Sequence, residues 1–128
     1  MSNDRLASVR AELVGALEAL DELMGLAAEG EEAFLSSADR RERFRYLWIV
    51  AGSRLKNYCQ VIGVSRAVGE LGQAIGFRHV LAYTSVRDVD DGIVWRTSLN
   101  DLPRLREAVS ATERALGQDP GLPPSSSV

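Results

Sequence analysis

From Leu6 to Met24 the apolar side chains fall three or four residues apart: Leu6, Val9, Leu13, Leu17, Leu20 and Met24. A helix turns about 100° per residue, so this spacing lines them along one face. The same period returns at Phe44, Leu47, Trp48, Ala51, Leu55, Tyr58 and Ile62, at Val68, Leu71 and Ile75, and at Leu102, Leu105, Val109, Thr112 and Leu116. No stretch alternates apolar and polar residues convincingly enough for a strand, and no segment repeats another. Helices with one apolar face must bury it against each other. A chain of 128 residues with this pattern is therefore expected to form one all-α domain, an antiparallel bundle of four to five helices.

Local signals set the expected boundaries. The first helix covers residues 3–28, with Asn3 or Asp4 as cap and Gly30 as stop. Gly15 and Gly25 interrupt it at about 1 kcal/mol each against Ala, which marks either close helix contacts or tolerated surface positions. Glu31 to Ser37 reads as a short acidic and polar link. Ser36 or Ser37 caps a second helix, about Ala38 to Ile62, which Gly63 ends. Ser65 caps a third, about Arg66 to Tyr83. Thr84 to Asp91 reads as a polar link across the open end of the bundle. Ile93 to Leu99 is expected as a short helix. Asn100 or Asp101 before Pro103 then marks a fresh start, because proline lacks only an amide that a first turn would leave unbonded. The domain occupies 1–116; the Pro/Ser-rich stretch 117–128 has nothing to bury and is expected to be disordered.

Charge narrows the function classes. The net charge of -3 excludes a molecule that binds nucleic acid by its overall field. Any RNA contact would need a local patch, and Arg40, Arg41, Arg43 and Arg45 supply one candidate. Such a run is either a solvated helix end or a phosphate-tracking patch, since guanidinium forks bind phosphate oxygens in pairs. The single cysteine, Cys59, excludes an internal disulfide framework and reads as a small buried hydrophobe. Trp48 and Trp95 read as core or dimer contacts. Asp88, Asp90 and Asp91 lack clustered histidines and read as a turn or helix cap, so no metal and no cofactor is expected. The chain contains no apolar run of membrane-spanning length, and its N-terminus is too polar for a secretory signal. The expected compartment is the cytoplasm.

The chemistry-bearing stretch runs from Ile75 to Trp95 and holds the only histidine, His79, directly after Arg78. Arg78 falls on the same face as Ile75. An arginine there is either buried with a partner or placed at an interface, because an unpaired buried charge costs several kcal/mol. Gly76-Phe77-Arg78, then Asp88-Val89-Asp90, Ile93-Val94-Trp95 and Asn100-Asp101-Leu102-Pro103 occur in that order. In order and spacing they resemble the signature of the HEPN superfamily, in particular the HepT-like toxins, over roughly Phe44 to Leu116. The resemblance implies a helical homodimer with two copies of an Arg and His motif in a shared cleft. It implies metal-independent endoribonuclease activity in a toxin–antitoxin pair. It also implies a minimal nucleotidyltransferase antitoxin as partner, able to transfer AMP onto a tyrosine near the motif.

This sequence departs from that signature at several positions. Tyr83 stands where the family has its catalytic His, His79 where a polar Asn is usual, Ser85 where the usual Tyr stands, and Gly52-Ser53 about where an acidic residue is common. A phenol ionises near pH 10 and is a poor base at neutrality. Three readings follow: a weakened homologue that only binds, transfer of the acid/base work to His79, or a toxin inactivated by a His-to-Tyr change. Adjacent helical residues point about 100° apart, so His79 and Arg78 do not share a face. The expected site residues are Arg78 with Tyr83 and His79, with Tyr83 or Ser85 as modification acceptor. The expected function is a HepT-like endoribonuclease toxin; the competing one is a non-catalytic helical dimer that binds a nucleotidyltransferase partner or a nucleotide.

Overall fold

The structure, a computed structural model, describes residues 3–64, 69–85 and 88–116. The described residues form five α-helices: α1 Asn3–Ala27, α2 Glu31–Ser36, α3 Ala38–Val61, α4 Gly69–Tyr83 and α5 Asp91–Leu116. The described residues contain no strand. No helix among them is long and apolar enough to cross a membrane. The residues expected in the C-terminal tail, 117–128, lie outside the described residues, as does the Ser65 cap.

Side-chain pairs give the helix directions. Glu12 and Glu22 of α1, and Glu29 just beyond it, meet Arg54, Arg43 and Arg40 of α3, so the two helices run antiparallel. Arg10 and Asp21 meet Glu113 and Arg106, so α5 also runs antiparallel to α1. These pairs are exposed or half-exposed, and each is worth at most about 1 kcal/mol. Stability comes from the seam beneath them. Val9, Leu13, Ala16, Leu20 and Leu23 of α1 pack with Phe44, Leu47, Trp48, Ala51 and Leu55 of α3 and with Leu102, Leu105 and Val109 of α5, all buried. Trp48 and Trp95 are both core residues; the Trp48 indole N–H donates to Ser98 Oγ at 2.9 Å, which satisfies the one polar atom that its burial would otherwise strand.

Three expectations about the elements need correction. The supposed link Glu31–Ser37 is mostly helix: α2 carries Phe34 into the core, where its ring lies 4.7 Å from Phe44 and 5.3 Å from Trp95. Six residues are too few to hold a helix in water, so burial of that ring is what forms it. The supposed break before Pro103 does not exist either. One helix runs through it, because Val94, Trp95, Ser98, Leu102, Leu105 and Val109 form one continuous buried stripe. Pro103 lies on the exposed side, where water can reach the Leu99 carbonyl that its missing N–H leaves unbonded. Finally, of the apolar series expected on α4, Leu71 and Ile75 are only half-buried against the core, Val68 lies outside the described residues, and the buried residues are Ala74 and Leu81.

The helix ends follow local chemistry. Ser37 is extended and its hydroxyl accepts from the Arg40 amide at 3.2 Å, the third residue of α3. At the other end Gly63 takes φ 80°, and Val64 N–H donates to Cys59 C=O at 2.8 Å while Gly63 N–H donates to Gln60 C=O at 3.2 Å. That pair of bonds closes the last turn and needs a left-handed residue between them. Asp90 caps α5, its carboxylate accepting from Gly92 N–H at 2.8 Å.

Candidate functional site

The seam between α3 and α4 positions Arg78. Its neighbour across the seam is Gly52. A Cβ on Gly52 would lie 2.2 Å from the Arg78 Cβ and 3.0 Å from the Ala74 carbonyl oxygen. The two helices therefore touch backbone to side-chain stem at this point, and only glycine permits it. The arginine stem is half-buried there, and its Nε donates to Ser53 Oγ at 3.0 Å. Among the described residues no carboxylate lies within salt-bridge distance of Arg78. A guanidinium is thus partly withdrawn from water and met by a hydroxyl rather than by an anion. Its outer nitrogens keep their donors for an incoming anion, and the lowered dielectric strengthens any such contact.

The other motif residues lie on the outer side of α4. His79 and Tyr83 are exposed, Tyr83 at 72%, and sit one turn apart with ring centroids 4.7 Å from each other. Arg78 faces α3 while His79 faces solvent, as the 100° step requires. Ser85 is exposed just beyond the helix, its carbonyl accepting from the Asp88 amide at 2.8 Å. Arg78 and Tyr83 thus lie on different sides of α4 and do not meet face to face.

The arginine cluster divides into two rows. Arg40 and Arg43 turn toward α1, bonded to Glu29 at 2.7 Å and to Glu22 at 2.5 Å, and the Arg43 guanidinium lies 5.4 Å from the Tyr46 ring centre. Arg41 and Arg45 turn the other way. Arg41 meets Asp91 at 3.3 Å and donates to the Leu35 carbonyl. Arg45 donates from Nε and Nη2 to the Leu81 carbonyl at 3.2 and 2.8 Å, and from Nη2 to the Thr84 carbonyl at 3.3 Å. Arg41 and Arg45 border a cavity of about 240 Å³ shared with Ala38, Glu42, Val89, Asp91 and Val94. A second cavity, about 160 Å³ and largely apolar, lies between the end of α4 and the start of α5, bordered by Phe77, Val80, Leu81 and Ile93.

Sequence reasoning placed Arg78 on the inner side of its helix but missed what makes room for it. The signal was present: Gly52 interrupts an otherwise apolar face of α3, at a register where a bulky residue would be expected. The capping role of Arg45 had no signal, because it depends on where α4 ends in space. Among the described residues no cluster of three or more His, Cys, Asp or Glu side chains is placed to hold a metal ion. Burial pushes the Cys59 thiol up from its usual range, in keeping with a packed hydrophobe. Tyr58 beside it is also raised, chiefly by burial and secondly by the neighbouring thiol. No protein-family model, curated protein or solved structure compared with this chain matches it.

Proposed function

We propose that this chain is a HepT-like member of the HEPN superfamily, built to act on RNA as a homodimer whose shared cleft receives Arg78 from each subunit. One observation carries the reading: a half-buried arginine held in the α3–α4 seam by a hydroxyl, with no carboxylate partner among the described residues. Arg45, equally half-buried, has both Nε and Nη2 bonded to backbone carbonyls, whereas Arg78 is met by a single hydroxyl at Nε. An arginine meant for a phosphodiester is better left without a carboxylate. The proposed chemistry needs no metal. The ribose 2′-hydroxyl attacks the adjacent phosphorus, a base takes its proton, and the guanidinium stabilises the charge that grows on the phosphoryl oxygens. The 2′-hydroxyl oxygen forms the new P–O bond, the bond to the 5′-oxygen breaks, and that oxygen leaves with a proton.

The resemblance puts the base at position 83, where this chain has a phenol in place of the imidazole that the role takes. The exposure of Tyr83 therefore favours a second reading: a helical dimer that keeps its partner, a minimal nucleotidyltransferase, without cutting RNA. Tyr83 and Ser85 are open enough to accept a nucleotidyl group in that case.

Tyr83→His separates the two. Under the ribonuclease reading the variant cleaves RNA in the presence of EDTA and arrests growth when expressed, and Arg78→Ala in the same chain abolishes both. If Tyr83→His remains silent while the protein still binds a nucleotidyltransferase, the binding reading replaces it.

A further inference from the structure

We infer that Arg45 is a positioning residue for position 83, holding the end of α4 by binding the carbonyls on either side of it. The last four carbonyls of a helix have no partner inside it, and a helix end frays unless something outside binds them. Tyr83 is the last residue of α4. Arg45 reaches from α3 to donate to the Leu81 and Thr84 carbonyls, which flank it. A positive charge at a helix C-terminus is further favoured by the helix dipole. One turn earlier on the same side of α3, Arg41 meets Asp91 at the first residue of α5. The two arginines thus bind on both sides of the connection between α4 and α5, and residue 83 is held from α3 although its own side chain is exposed.

This assigns Arg45 a duty other than tracking phosphate: two of its three nitrogens are committed to backbone oxygens. It also accounts for how an exposed side chain at the tip of a helix could act with a precision that catalysis requires, since a misplacement of about 1 Å can cost about 100-fold in rate. The catalytic consequence rests on the ribonuclease reading; the positional one does not.

The test has two arms. In the protein as it stands, Arg45→Met keeps the aliphatic stem and removes the donors. Amide exchange at Tyr83 and Thr84, the latter now bonded to the Val80 carbonyl at 3.0 Å, should rise by about tenfold or more, while Leu13 and Leu20 in α1 keep their protection. Arg45→Lys, which can reach one carbonyl, should recover part of the loss. Unchanged exchange at 83 and 84, or an equal rise throughout the molecule, overturns the inference. In the Tyr83→His chain, Arg45→Met should lower kcat by about 10- to 100-fold with KM unchanged. A rise in KM with kcat preserved would mean that Arg45 binds RNA directly and would likewise overturn it. If Tyr83→His shows no cleavage at all, the ribonuclease reading fails, and the exchange arm still decides the role of Arg45.

Discussion

Replacing Gly52 with alanine should destabilise this protein, although the same change in most helices does the opposite. In a helix interior Gly→Ala is worth about 1 kcal/mol in favour of the folded state. At position 52 the added methyl would sit 2.2 Å from Arg78 Cβ, 2.8 Å from Arg78 Cγ and 3.0 Å from the Ala74 carbonyl. Carbon atoms in contact prefer about 3.5–4.0 Å, so α4 would have to retreat by about 1.5 Å or its arginine would have to leave the seam. Because the obstacle includes backbone, side-chain rotation alone cannot relieve it. Overpacking of this kind costs about 1–3 kcal/mol, and the upper part of that range applies here. After the propensity gain, the net loss is about 1–2 kcal/mol, a fall in Tm of about 4–8 °C for a domain of this size. Gly76→Ala is the matched control: it lies on the exposed side of α4, nothing is within 4 Å of its would-be Cβ, and it should raise stability by up to about 1 kcal/mol. Urea or thermal melts followed by circular dichroism would read both. If Gly52→Ala stabilises as much as Gly76→Ala, the close approach at Arg78 is wrong, and the argument for a partly withdrawn guanidinium goes with it.

Three further outcomes follow from the core. Ser98→Ala strands the buried Trp48 indole N–H, which donates to Ser98 Oγ, and should cost about 1–2 kcal/mol in a urea melt; an unchanged midpoint would mean that water reaches the indole. Cys59 is buried and its thiol is raised, so alkylation by iodoacetamide at pH 8 should be slow in the native protein and fast in denaturant, with rapid native labelling as the contrary result. Because folding raises both Cys59 and Tyr58, the native state holds those protons more tightly than the unfolded chain does. Stability should be flat in pH with respect to these groups below about 9, and should decline as pH rises beyond it.

What the amino-acid order determined by itself was whatever depends on near neighbours. The apolar spacing foretold α1, α3, α4 and the C-terminal half of α5, because a helix face repeats within four residues. The Ser36-Ser37 pair and Gly63 marked the two ends of α3, with Ser37 the one that caps, since a capping hydroxyl and a left-handed glycine act on their own turn. Local rules failed where distant groups decide. Glu31–Ser36 resembled a linker because Phe34 becomes helical only by meeting Phe44 and Trp95. Pro103 resembled a start because a proline's cost is set by which side of the helix it faces, and the continuous stripe from Val94 to Val109 turns it outward. The candidate site divides in the same way. Arg78 stood out by its place on the apolar face and His79 as the only histidine, while Tyr83 was marked only by the family resemblance. That Arg78 lies against a glycine and a serine, and that Arg45 grips the carbonyls around position 83, exists only once α3 and α4 are side by side. A side chain's neighbours along the chain are fixed by covalent geometry, whereas its neighbours across a seam are chosen by how whole helices pack.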